Sequence, residues 1–197
     1  MCLYNVLFAL RNVSPVATMR YFILGGTNMF SIGDTVVYDT QGVCKITEIA
    51  TMNVCNETRD FYVLKPVFED KATLYVPTDN EELVSKRMRF TLTANEVDEI
   101  IQSLSNQETV KWIADDAKRK EFCSNVVKKG DRKELMALIQ MLYSKQKDMQ
   151  SQKKHFHISD ERYLKEAEKL LHEEFAFALG ITRKEVPEYI HKRTRIP

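Results

Sequence analysis

The hydrophobic period of this chain changes once, near Pro77, and that change limits the folds open to it. Before Pro77 the sequence runs in short segments rich in Val, Ile, Tyr, Phe and Thr: "DTVVYD", "VCKITEIATM", "FYVLKPVF" and "TLYVP". The turn signals "TQG", "NETRD" and "EDKA" break them apart. Strands recurring about every ten residues with tight turns predict a small, strongly bent antiparallel sheet or barrel. Gly33 and Gly42 are assigned to turns. A unit of about 50 residues buries little surface, so it is expected to be modest in stability and to lean on its neighbour.

After Pro77 the spacing is helical. "TANE" (Thr93 to Glu96) has the form of a capping box ahead of "VDEIIQSL", and "DRKE" (Asp131 to Glu134) repeats the device with Asp as the cap. Leu135, Leu138, Ile139 and Leu142 then follow at helical intervals. Ser159 is read as opening a long helix whose Tyr163, Ala167, Leu170, Leu171 and Phe175 line one face and which Gly180 stops. Thr182 to Glu185 cap a short last helix. "KQKDMQSQKKHFH" is read as a polar connection between the two long helices. The fold class is therefore α+β, a small antiparallel β unit followed by a compact all-α bundle.

Charge follows the same division. From Met29 to Leu104 there are seven Lys/Arg against thirteen Asp/Glu, and from Ser105 onward twenty against fifteen, so the net +1 conceals an acidic first part and a basic second part. Such asymmetry predicts two partners of different charge. Cys2, Cys44, Cys55 and Cys123 have no C-x-x-C spacing, which points to a reducing compartment and to neither zinc nor a disulfide framework. No run reaches the roughly 18 apolar residues of a membrane span, and "MCLYNVLFAL" lacks the basic start of a secretory signal. A cytoplasmic location is expected. Gly25-Gly26 just ahead of Met29 is what the codons of a ribosome-binding site would spell. Residues 1–28 are accordingly read as an over-extended reading frame or a disordered appendage.

Candidate sites are few. His155 and His157 would point the same way at strand spacing, but no carboxylate or cysteine joins them at a ligand interval, so no metal is expected. His172 and His191, and the pairs Glu81-Glu82 and Glu173-Glu174, are read as solvated surface. With no phosphate loop, no G-x-S-x-G and no paired nucleophile and base, the expectation is a non-enzyme without cofactor or small-molecule substrate. Trp112, the single indole, stands out. Asp115 and Asp116 suit the first turn of a helix, Lys118, Arg119 and Lys120 follow, and Lys128 and Lys129 close its far end. Two readings compete: a ring that fills a crevice between helices, or an exposed ring that meets bases while the cations grip phosphate.

The order of "MFSIGDTVVYDTQGVCKITEI", "FYVLK", "LYVPTDN" with Asn80, a lone Trp before a basic helix, and a "KKGD" turn resembles the CarD/CdnL family of bacterial RNA polymerase-binding transcription regulators. The similarity runs from Met29 to about Gly180. It implies a Tudor/SH3-like barrel over 29–84 that binds the polymerase β subunit, and a helical DNA-binding domain over 90–197. Carried over residue by residue, the polymerase-binding edge is Thr51, Met52, Asn53 and Val54, with Tyr75 on a neighbouring strand. Relatives often carry arginine at the positions of Met52 and Tyr75, so an apolar, backbone-led contact is expected here. The resemblance makes Trp112 a minor-groove wedge at the upstream edge of the promoter bubble. It makes Lys118, Arg119 and Lys120, with Lys128 and Lys129, the DNA-binding cations, although this chain carries extra residues, Asp115 and Asp116 among them, between ring and cations. The implied protein is a monomer, tied to the nucleoid through polymerase, that stabilises the open complex. The alternative is a protein-only adaptor in which Trp112 is core.

Overall fold

A computed structural model describes residues 30–69, 72–103 and 110–194. The doubtful leader, 1–28, lies outside the described residues. The chain divides into two units: a sheet unit that runs through Tyr38 and again from Val43 to Thr91, and a helical unit from Leu92 onward that also claims Asp39–Gly42. This is the α+β architecture expected.

The sheet has five antiparallel strands in the order β4-β3-β2-β1-β5: β1 Thr35–Tyr38, β2 Gly42–Val54, β3 Glu57–Pro66, β4 Leu74–Pro77 and β5 Met88–Phe90. Alternation decides which side chains meet. Ile46 faces Leu64 across one ladder and Tyr62 faces Val76 across the next, and all four are buried together with Phe30, Val36, Cys44, Val84 and Met88. Phe30 anchors this core, its ring tilted against Phe90 at 4.8 Å and its backbone N–H donating to the Tyr62 hydroxyl at 3.3 Å.

Two features of this unit differ from the reading of the sequence. The "NETRD" segment is not the turn. β2 runs through Val54, and the chain reverses over Cys55 and Asn56, with φ of 54° and 64°, so Glu57–Asp60 are strand. Positive φ at both central residues is the backbone of a two-residue hairpin that matches strand twist, and only the second, Asn, is a residue that favours it. The expected boundary at residue 84 falls inside a helix, α1 (Glu81–Arg87), and the strand beyond it, β5, pairs with β1 through Val36 and Phe90. Asn80 explains its own place in the sequence: its Oδ1 accepts from the Leu83 N–H at 2.9 Å and caps α1.

The helical unit holds α2 (Ala94–Ser103), α3 (Asp116–Lys129), α4 (Arg132–Ser151), α5 (Ile158–Leu179) and α6 (Val186–Thr194). The predicted caps form. Thr93 and Glu96 bond reciprocally, the Asp131 side chain accepts from the Glu134 N–H at 3.0 Å, and Gly180 ends α5 with φ of 65°. The "KKGD" turn is a handover, in which left-handed Gly130 closes α3 and Asp131 opens α4. Two corrections stand beside these. α5 opens one residue early, at Ile158, behind His157, which gives no side-chain cap. Lys145–Ser151, read as connection, continues α4 as helix, because good helix formers need no apolar stripe once the preceding turns are packed. Cys123, Leu135, Leu138, Leu142, Leu164 and Ala167 form the core of this unit.

Leu138, fully buried in that core, sets a direct test. Leu138→Ala should cost about 2–5 kcal/mol in chemical denaturation followed by helical circular dichroism, and a loss under about 1 kcal/mol would contradict the packing described.

Candidate interaction surfaces

The hairpin of β2 and β3 carries the first candidate surface. From Thr51 to Asp60 nearly every residue is exposed on both strands. β1 spans four residues and meets β2 only near its start, where the Ile46 N–H donates to the Asp34 carbonyl at 2.9 Å. Among the described residues no strand is registered against the other side of β2 from Glu48 to Val54, so that stretch ends in an open edge.

Register sorts the expected polymerase-binding residues by face. Ala50 opposes Phe61, Met52 opposes Arg59 and Val54 opposes Glu57, while Pro77 and Tyr75 oppose Phe61 and Val63. All of these lie on the face away from Tyr62, Leu64 and Val76. Met52, Val54 and Tyr75 thus share a surface, with Val54 and Tyr75 well exposed. Tyr75 is two strands away from β2, and not beside it. Thr51 and Asn53 point to the other face, where the Thr51 hydroxyl donates to Asp60 at 2.6 Å. The pairing also reveals a residue the sequence reading missed. Arg59 sits directly across from Met52, ion-paired with Glu57 and standing 3.6 Å from Asp79. A cation therefore stands opposite residue 52 on the next strand, and only the register shows it.

Residues 30–88 match the CarD-like/TRCF RID domain family. The chain carries an RID domain. This is a non-enzymatic protein-interaction domain of a family of RNA polymerase-interacting transcription factors. The RID match takes in the sheet from Phe30 to Met88, and so includes the hairpin, its open edge and α1. The helical unit lies outside it.

In that unit, Asp115 caps α3 by accepting from the Lys118 N–H at 2.9 Å, as its place before the basic run implied. The cations that follow do not form one surface. At 100° per residue, Lys118 and Lys120 lie about 160° apart around the helix, and Lys118 and Lys129 share a side but are about 16 Å apart along it. Lys120 pairs with Asp116 at 2.6 Å, a contact that holds the Asp116 carboxyl below its ordinary pKa, and Lys129 pairs with Glu134 at 2.5 Å. Lys118 and Lys128 are exposed.

Arg119 requires the largest correction, because it is 2% exposed and cannot reach a phosphate. Its Nε donates to both oxygens of Asp160, 3.1 Å each, and that carboxylate is itself fully buried. Nη1 donates to the carbonyls of Ile113 at 3.0 Å and Ala114 at 3.4 Å, and Nη2 to Asp116 at 2.7 Å. The physical reason is phase: residue 119 falls on the inward stripe of α3 with Cys123, Val126 and Val127. A guanidinium can occupy a core position when every side of it meets an acceptor or a ring. The nearby Cys123 thiol is pushed up to about 11 by burial, with the Asp160 charge adding to the effect.

Trp112 lies between the two readings offered for it. The half-buried ring packs against the helical core, as do Val110, Phe122 and Phe156. Arg119 stands over it at 4.5 Å and Lys145 of α4 at 5.5 Å. The structure therefore joins Trp112, Arg119, Asp160 and Lys145, and leaves Lys118, Lys120, Lys128 and Lys129 dispersed. Lys145 was legible in principle: it falls seven residues after Leu138 and three after Leu142, in phase with the buried stripe of α4, once the helix is carried past Tyr143. Asp160 gave no signal, since a carboxylate in a first helical turn looks solvated.

Two other expectations fail. Glu173 and Glu174 are buried, 2% and 1% exposed, and bond Arg183 at 2.8 Å and Arg132 at 2.6 Å. His172 is half-buried, and burial holds its imidazole down at about 4. His155 and His157 remain exposed, and among the described residues no three His, Cys, Asp or Glu side chains gather as metal ligands. No helix among the described residues is long and apolar enough to cross a membrane.

His172 gives a pH dependence. The unfolded imidazole titrates near its ordinary value of about 6.5, so between there and about 4 the unfolded chain binds a proton that the folded chain refuses. Its contribution is present above pH 6.5 and is lost as pH falls. Urea midpoints measured from pH 7 to 4 should decline less steeply in His172→Gln than in the native chain; parallel curves would remove His172 from the account.

Proposed function

We propose that this chain is a transcription regulator that binds the β subunit of RNA polymerase through its RID domain and stabilises the promoter open complex by a minor-groove contact without base-specific readout. The observation that carries the first half is the RID match over 30–88, together with a hairpin whose strand edge is open among the described residues. An open edge accepts a partner strand through backbone hydrogen bonds, and the side chains on one face set which partner fits. Met52, Val54 and Tyr75, with Arg59 among them, supply that face.

The second half rests on Trp112, half-buried beside Lys145 in a unit richer in cations than the sheet. Separating a base step costs a few kcal/mol. When polymerase opens the duplex, a ring that meets only the distorted step favours the open state over the closed one. About 1.4 kcal/mol of such preference shifts the equilibrium roughly tenfold. Lys145, Lys118 and Lys128 would touch backbone, which gives no sequence preference. Affinity for free DNA is expected to be low, with tethering to polymerase raising the local concentration. The working unit is a monomer in the cytoplasm, held at the nucleoid through polymerase.

A protein-only adaptor is the second reading, and the packing of Trp112 against the helical core favours it. One variant separates the two, and a second tests the hairpin face. Trp112→Ala should shorten open-complex lifetime about tenfold with polymerase affinity unchanged, whereas an adaptor would lose neither. Met52→Glu should weaken capture of polymerase by the full-length chain and leave the helical circular dichroism intact; unchanged capture would rule out this face of the hairpin.

A further inference from the structure

We propose that Arg119 is a positioning residue: its buried pairing with Asp160 fixes the orientation of the Trp112 ring. This rests on the reading of Trp112 as the DNA-facing group, and extends it to the residues that hold the group in place. Residues 110–114 have no regular secondary structure. An indole on such a segment has two free torsions, and ordering it on arrival of DNA would spend the contact on entropy.

The Arg119 guanidinium removes that freedom from several directions. It bonds the carbonyls of Ile113 and Ala114, the two residues after the ring, and so fixes the backbone that carries it. It bonds Asp116, the first residue of α3, and both oxygens of Asp160 in the first turn of α5. Its planar group stands 4.5 Å over the ring itself. Segment, ring and two helices therefore meet at one side chain. Lysine cannot replace it, because an ammonium has no planar face and cannot span a carboxylate and two carbonyls at once.

Trp112 is the only tryptophan, so intrinsic fluorescence of the full chain reports this ring alone. In R119K and D160N, helical circular dichroism should persist. Fluorescence anisotropy should decay faster and iodide quenching should rise several-fold. Open-complex lifetime should fall to the level of W112A while polymerase affinity stays at the native value. If R119K loses its helical signal, the double variant R119M/D160L, which removes both charges together, is read in its place with the same outcome expected. Folded variants with native anisotropy and native quenching would overturn the proposal. If the ring loosens in R119K yet W112A leaves open-complex lifetime unchanged, Arg119 still positions the ring, and it is the DNA-facing reading that fails.

Discussion

One buried ion pair ties the Trp112 segment to the helical unit. Two opposite charges taken out of water are tolerated only where the pairing is close and the remaining hydrogen-bonding groups are satisfied. Arg119 and Asp160 meet both conditions, with two bonds between them, two backbone carbonyls and Asp116 on the rest of the guanidinium, and an aromatic ring over its face. Because a single guanidinium serves α3, α5 and the segment before α3, those parts cannot shift independently. Its loss would leave a buried carboxylate unpaired, the expensive case.

The same arrangement changes how the basic run after Trp112 functions. A cluster of three cations in sequence looks like one patch, but helical geometry sends each in a different direction. Arg119 goes inward, Lys120 is engaged by Asp116, and Lys118 faces solvent. Beside Arg119, the other cation over the ring comes from elsewhere in the chain, Lys145 on α4. Asp115 and Asp116, the extra acidic residues between ring and cations, are occupied with local tasks: one caps α3 and the other binds Arg119 and Lys120.

In the RID domain the corresponding constraint is register. Moving β2 by one residue against β3 would turn Met52 and Val54 to the opposite face and bring Thr51 and Asn53 beside Arg59 in their place. The Cys55-Asn56 turn holds that register at one end, and the buried pair Ile46 with Leu64 closes the ladder beyond the irregularity between Ile46 and Glu48. The exposed arm thus continues the ladder of a packed sheet.

Local interactions explain what the sequence determined. The strand runs before Pro77, the caps at Thr93, Asp115 and Asp131 and the stops at Gly130 and Gly180 are set by neighbours within four residues, and each stands in the structure. So does the division into a sheet unit and a helical unit. Contacts between distant residues were decided by tertiary structure alone. The sequence placed Arg119 beside Lys118, but the partner that buries it is 41 residues away. Glu173 and Glu174 read as a solvated pair because nothing nearby in the sequence names Arg183 and Arg132 as their counter-charges. Arg59 became the neighbour of Met52 only through strand pairing. A charged side chain chooses between water and the interior according to whether an opposite charge waits there, and a linear sequence does not record that distance.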